Sequence, residues 1–139
     1  MRDNARTYNL LWLVESVGTS NYNIGHPAHV LSQKVARLHG IDISRHKARQ
    51  FRKMDMIDFD RIYVMDADNY EDVKQMSYDL WDASKTDLLL NALYPGENRA
   101  VPDPWHSEEP AYHEVYKMID EACKQIIHSF ISMEENNNN

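Results

Sequence analysis

The feature that most constrains the fold of this chain is the alternation of short apolar runs with longer stretches of helical periodicity. The runs are stopped by small or acidic residues, and in the longer stretches apolar residues recur every three or four positions. In order, the pattern predicts strand 10–14, helix 28–39 ending at Gly40, strand 61–65, helix 69–81, strand 87–90 and helix 111–132. Such alternation indicates an α/β domain whose parallel sheet is covered by helices and whose sites lie at the carboxyl ends of the strands.

The charge and the cysteine count narrow the classes of partner. A formal net charge of −7 argues against a nucleic-acid backbone or an anionic membrane as the main partner. No apolar run approaches the ~20 residues of a membrane span, and no signal-peptide core precedes residue 15. The single cysteine, Cys123, excludes an internal disulfide and a cysteine-rich zinc site. We therefore expect a cytoplasmic protein that uses no metal and no cofactor.

The length of 139 residues fits one domain, which we place at residues 1–133. Residues 134–139 are glutamates and asparagines only, and this composition predicts a disordered polar tail. The chain shows no internal repeat and no linker.

Three places at predicted strand ends carry polar chemistry. Residues 15–19, Glu-Ser-Val-Gly-Thr, offer hydroxyl and amide groups that could hold an anion, although a simple turn explains them too. Residues 39–50 combine two histidines with several cations, in a stretch that also fits a solvated loop. Asp66 and Asp68 form an Asp-x-Asp directly after a strand, as in magnesium-dependent aspartyl phosphatases, but capping of the next helix by Asp68 accounts for them more simply.

The segment 101–105, Val-Pro-Asp-Pro-Trp, fixes a carboxylate between two prolines. Proline restricts its own φ and the residue before it, so Asp103 is constrained from both sides. A carboxyl group on a rigid loop beside the Trp105 ring suits a general acid for an aromatic ester, because proton delivery depends first on geometry. The alternative is an ordinary tight turn.

Taken together, these segments resemble the low-molecular-weight protein-tyrosine phosphatases. Residues 15–19 match that family's Asp-Ser-Ala-Gly-Thr segment, and His-Gly-Ile-Asp at 39–42 with Ala-Arg-Gln at 48–50 matches its middle block. Further similar segments, in the family's order, are 22–25, 65–69, 101–105 and 114–123.

The resemblance implies a flavodoxin-like three-layer fold and hydrolysis of phosphotyrosine esters through a cysteinyl-phosphate. It assigns Asp103 as proton donor. It implies that Ser16, His46 and Asp66 brace the phosphate loop, and that Tyr22, Asn23 and Trp105 form the substrate rim. Ser16 and His46 should then lie close together, and Tyr22 and Trp105 should flank one shallow depression. The implied partner is a phosphotyrosine protein or a small aryl phosphate.

The chain departs from the family at its catalytic loop, Cys-x5-Arg, which should precede Ser16. None of residues 1–15 is cysteine, and the position six residues after Cys123 is Ser129 rather than arginine. Asp103 alone supplies only acid catalysis, typically ~10²–10⁴-fold. We therefore expect an inactive homologue, either a pseudophosphatase or a shortened product, without the family's first strand. Unpaired strand edges would favour self-association.

Three alternatives remain open. A noncatalytic interaction module would bind phosphopeptides through Tyr22, Trp105 and the basic residues of 39–50. A magnesium-dependent aspartyl phosphatase would use Asp66 and Asp68. An arsenate reductase, a relative of the family, fits poorly because that chemistry needs several redox cysteines.

Overall fold

The computed structural model describes residues 1–138 as five helices and two strands joined by loops and single 3₁₀ turns. The elements are α1 (Arg2–Thr7), α2 (Val30–Leu38), α3 (Asp55–Asp58), β1 (Ile62–Val64), α4 (Ala67–Ser77), β2 (Thr86–Leu88) and α5 (Glu109–Asn137), with 3₁₀ turns at Tyr78–Leu80, Ala83–Lys85 and Leu89–Ala92. β1 and β2 pair in parallel, with Ile62 opposite Thr86 and Val64 opposite Leu88. The parallel pairing confirms the predicted α/β class.

Alternation along the strands places a helix on each face of the sheet. Val64 packs with Val73 of α4, together with Phe51 and Met56. Its neighbour Tyr63 points to the other face, where α5 contributes side chains to a second core cluster. That cluster is built on Leu89, Leu90, Val101 and Ala122. Because successive strand residues point to opposite faces, the result is the three-layer arrangement expected of a flavodoxin-like fold.

The end of α2 shows how a local sequence signal sets an element boundary. Gly40 has φ +78°, a conformation that glycine adopts without steric cost. Its amide donates to the carbonyl of Arg37, and the amide of Ile41 donates to that of Ala36. These two bonds form a Schellman motif, so the prediction that Gly40 ends this helix is confirmed.

The predicted strand 10–14 is wrong. These residues form no strand; the side chain of Leu11 is fully exposed and that of Leu13 is 75% exposed. The run is held by other contacts: the Leu10 amide donates to the Ala5 carbonyl, and Arg2 donates to the Val14 carbonyl. The Trp12 ring lies edge-on to Phe130 of α5 at a centroid distance of 5.0 Å. An apolar run forms a strand only where a neighbouring strand accepts its hydrogen bonds, and sequence periodicity does not report the neighbour.

Several boundaries also differ from prediction. α2 begins at Val30 rather than residue 28, and β2 ends at Leu88, because Leu89 and Leu90 lie in a 3₁₀ turn. α4 starts at Ala67, because Asp66 rather than Asp68 caps it, and it ends at Ser77 before the 3₁₀ turn. α5 continues to Asn137, so the expected disorder of the tail is not seen for residues 134–137, and residue 139 lies outside the described residues. Extending a formed helix by one residue costs little free energy, and glutamate is a good helix former.

Within residues 1–138, no helix is long and apolar enough to span a membrane.

Candidate functional site

Ser16 and His46 meet at the surface near the end of segment 10–17. The Ser16 hydroxyl lies 3.0 Å from Nε2 of His46. Two residues later Gly18 makes an isolated parallel bridge with Gln50, in which the Gly18 amide donates to Arg49 and its carbonyl accepts from Phe51. This bridge aligns the end of the segment with residues 46–50, and it explains why the predicted approach of Ser16 to His46 is confirmed.

A depression of about 290 Å³ lies beside this pair. It is lined by Ser16, Val17, Gly18, Thr19, Ser20, Asn23, Ile24, His46, Ala48 and Arg49. Hydroxyls, an amide and an imidazole are groups that hydrogen-bond phosphate oxygens, so the lining suits a small oxyanion.

Arg49, the arginine on this lining, is already engaged by two carboxylates. Its guanidinium donates to both carboxylate oxygens of Asp55, at 3.0 and 3.1 Å, and to Glu15 at 2.7 Å. These hydrogen bonds raise the pKa of Arg49. Burial by itself would raise the pKa of Asp55, but the Arg49 guanidinium and the Arg52 amide outweigh burial and lower it. Arg49 therefore stabilises the local structure. Its positive charge is already neutralised by Asp55 and Glu15, so it is not free to bind a ligand.

Asp103 lies on the exposed loop before α5. Its Oδ1 accepts a hydrogen bond from the Trp105 amide at 3.0 Å, which is the turn geometry that aspartate commonly provides. Trp105 lines a second depression, of about 490 Å³, which shares Asn23 and Ala48 with the first. Asp103 lines neither depression, yet its loop forms the wall of one of them.

The comparisons with known proteins agree with this geometry. The family profile "Low molecular weight phosphotyrosine protein phosphatase" matches residues 1–137. The chain belongs to this family. The chicken (Gallus gallus) phosphatase of that name is 34% identical over 116 residues, which cover 84% of this chain and 73% of the relative.

Two other proteins show the same likeness. The Bacillus subtilis phosphatase YfkJ is 31% identical over 115 residues, covering 83% of this chain and 72% of the relative. Its crystal structure superposes with a TM-score of 0.82 at 28% identity, over 95% of this chain and 82% of the other. The protein tyrosine phosphatase from Entamoeba histolytica, with Hepes in its active site, gives a TM-score of 0.81 at 25% identity, over 98% and 85%. The flavodoxin-like fold of low-molecular-weight phosphatases is thereby established for this chain.

Of the three rim residues that the family resemblance implies, the structure places two on the depressions. Asn23 lines both, and Trp105 lines the larger one. Tyr22 is 86% exposed and lines neither, so the expected pairing of Tyr22 and Trp105 around one depression is not seen. The Tyr22 amide donates to Ser20 Oγ at 3.0 Å, in a turn that leaves its ring in solvent.

Asp66 serves as a helix cap in this phosphatase homologue. Its Oδ1 accepts the Asn69 amide at 2.7 Å, at the start of α4. In the described part of the chain, residues 1–138, no three histidine, cysteine or carboxylate side chains come close enough to hold a metal ion. Asp66 is therefore accounted for as the cap of α4.

Cys123 is buried in α5 and lines neither depression. Burial raises the pKa of its thiol, whereas a nucleophilic cysteine needs a lowered one. Its environment is that of a small core side chain.

Sequence reasoning missed two residues that organise this region. One is Arg49, where the charge pattern did not reveal that Asp55 and Glu15 are its partners. The other is His29, which caps α2 by accepting the Leu31 amide at Nδ1. Histidine is an uncommon cap, so residue type gave no signal for it.

Proposed function

We propose that this member of the low-molecular-weight phosphatase family does not hydrolyse phosphate esters and acts as a pseudophosphatase. The observation that carries the proposal is the position of Cys123, which is buried in α5, away from the depression at Ser16 and His46. The residue six positions later is Ser129, so no Cys-x5-Arg motif occurs in the 139 residues.

The chemistry of phosphomonoesters supports this proposal. Hydrolysis needs an in-line nucleophile, neutralisation of the phosphate charge and protonation of the leaving oxygen. This chain offers the third through Asp103, while Arg49 is held by Asp55 and Glu15. Because enzymes accelerate phosphate-monoester hydrolysis by up to ~10²¹-fold, one general acid leaves almost all of the barrier in place.

A second candidate function is noncatalytic binding of phosphotyrosine segments, favoured by the depression beside Ser16. Hydroxyls from Ser16 and Thr19 and the imidazole of His46 would receive the phosphate, and Trp105, which lines the second depression, would contact the aryl ring or its neighbours. Because Arg49 is engaged, we expect a Kd on the order of 1 mM for a short phosphopeptide.

A titration with a phosphotyrosine peptide, followed by ¹H–¹⁵N NMR, tests this binding, and ³¹P NMR of the same samples records any free phosphate. We expect saturable shifts at residues 16–20 and 46 without release of phosphate. Ser16→Ala should weaken binding several-fold, whereas Ser129→Ala, on the exposed surface of α5, should not. Absence of saturable shifts would reject the binding function, and phosphate release would reject the pseudophosphatase.

Self-association is a further part of the proposal. The segment 10–17 belongs to no strand and exposes two leucines, Leu11 and Leu13, and a segment without a strand neighbour favours pairing with a second copy. Sedimentation should show a dimer that Leu11→Lys disperses, and a monomer at all concentrations would contradict the proposed self-association.

We also propose that the protein is cytoplasmic, because its sequence has a single cysteine and so cannot form an internal disulfide.

A further inference from the structure

His29 joins three parts of the molecule at the start of α2. Its Nδ1 lies 3.1 Å from the backbone amide nitrogen of Leu31. A backbone amide only donates, so Nδ1 must be the acceptor and carries no proton. The ring in this structure is therefore neutral, with its proton on Nε2.

The same ring packs between the loop that carries Asp103 and the first turn of α5. It stacks on Tyr112 with centroids 5.1 Å apart and planes 24° from parallel, and it meets Trp105 edge-on at 4.9 Å. The hydroxyl of Tyr112, a buried residue, donates to the Trp105 carbonyl at 3.3 Å. His29, the residue that caps α2, thus contacts both Trp105 and Tyr112.

Protonation of the ring would break this arrangement at one atom. A proton on Nδ1 turns the acceptor into a donor that faces the Leu31 amide, which is also a donor. It also adds a positive charge at the positive end of the α2 dipole. We propose that His29 is a proton-dependent clamp, which in its neutral form caps α2 and holds the loop of residues 101–107, and which releases that loop when it is protonated.

The segments that contact the ring carry titratable groups of both signs. They include Lys34 on α2, Glu109 and His113 on α5, and Asp103 and His106 on the loop, and His26 lines the same depression as His29. Glu109 is bound by Lys34 at 3.0 Å and by His113 at 3.3 Å, so its charge is largely compensated. Asp103 is exposed and screened by solvent.

The stacking contact with Tyr112 can be made by a neutral or by a cationic ring. That contact does not depend on Nδ1, however, whereas the cap is lost outright when Nδ1 binds a proton. The clamp would therefore tie the position of Asp103 and Trp105, and with it the shape of the larger depression, to the protonation state of one imidazole ring. It does not depend on the phosphate binding proposed above.

The test uses the full chain between pH 8 and pH 5.5. Long-range ¹H–¹⁵N NMR of the imidazoles reports the tautomer of His29, amide exchange reports protection of Leu31, and Trp emission, compared with Trp105→Phe, reports the loop. His29→Asn keeps a good cap that does not titrate. His26→Asn is the matched control, because His26 lines the same depression but caps no helix.

At pH 8 we expect the Nε2–H tautomer at His29. On acidification the protection factor of Leu31 should fall roughly five- to tenfold, the size of effect that loss of a cap produces. Trp105 emission should shift in the same pH range. His26→Asn should behave like the parent chain, and both responses should vanish in His29→Asn. An Nδ1–H tautomer at pH 8, which needs no variant to detect, or an unchanged pH response in His29→Asn would overturn the proposal.

Discussion

The first fifty residues and the rest of the chain differ in what they contribute: the first fifty supply polar groups of the candidate site, and the rest supplies most of the apolar core. The first fifty carry most polar groups of the candidate site, yet contribute only three of the fifteen buried apolar side chains found among residues 1–138, and they leave Leu11 and Leu13 in solvent. The remainder holds both core clusters and contributes Asp103 and Trp105 to the site region. The site is therefore held in place by polar links, such as those of Ser16 with His46 and of Arg49 with Asp55, more than by apolar packing.

The largest difference between the two regions should appear when one apolar side chain is truncated in each. Ile127 in α5 has no exposed surface, and Ile127→Ala should lower the free energy of unfolding by about 2–5 kcal/mol. Leu13→Ala, at 75% exposure, should change it by no more than about 0.5 kcal/mol. Urea unfolding measures both. Equal losses in the two variants would mean that Leu13 is buried in solution, and the division drawn here would be wrong.

The next effect concerns the ion pair that links the two regions. Arg49→Met removes both hydrogen bonds to Asp55, whose side chain is 6% exposed. We expect a loss of about 2–3 kcal/mol, below that of a fully buried pair because Arg49 is 30% exposed. Arg52→Met is the control, since Arg52 supports Asp55 through its backbone amide, which the substitution keeps.

The same pair predicts a dependence of stability on pH. In the folded chain the pKa of Asp55 lies below its ordinary value, so its contribution is present above about pH 4 and is lost as the pH falls through the folded pKa. Stability should therefore decline in acid, and Arg49→Met should flatten that decline. An equally steep decline in the variant would show that other carboxylates cause it.

A smaller loss of stability is expected when the cap of α4, in the region that holds both core clusters, is removed by substituting Asp66. Asp66→Ala removes the cap of α4 and should cost about 1 kcal/mol, while Asp66→Asn, which also caps, should cost little. Magnesium should not alter either result. A loss on Asp66→Asn as large as that on Asp66→Ala, or stabilisation by magnesium, would indicate that the carboxylate charge itself matters.

The same division explains what the sequence could and could not predict. β1, β2, α2 and α5 follow from local signals, namely apolar periodicity and a stop residue such as Gly40. The approach of Ser16 to His46 came from the family resemblance, not from local pattern. Residues 10–14 read as a strand but remain unpaired, because pairing depends on a neighbour. α1 was missed, as it is short and is fixed by a distant contact of Asn4 with Asp120.

The placement of Tyr22 failed for a similar reason. The family resemblance gave its position in the sequence, but the turn at Ser20 directs the ring into solvent. Side-chain direction in a loop depends on hydrogen bonds that residue type does not reveal.

Steady-state hydrolysis of p-nitrophenyl phosphate at mildly acidic pH tests whether this chain lacks phosphatase activity. The assay compares the chain with Asp103→Ala and with a version that carries a grafted Cys-x5-Arg loop and first strand. We predict that the chain and Asp103→Ala are equally inactive, at trace level, and that the grafted version gains turnover. Appreciable turnover by the unmodified chain that disappears in Asp103→Ala would contradict it, because a nucleophile other than the family's cysteine would then be at work.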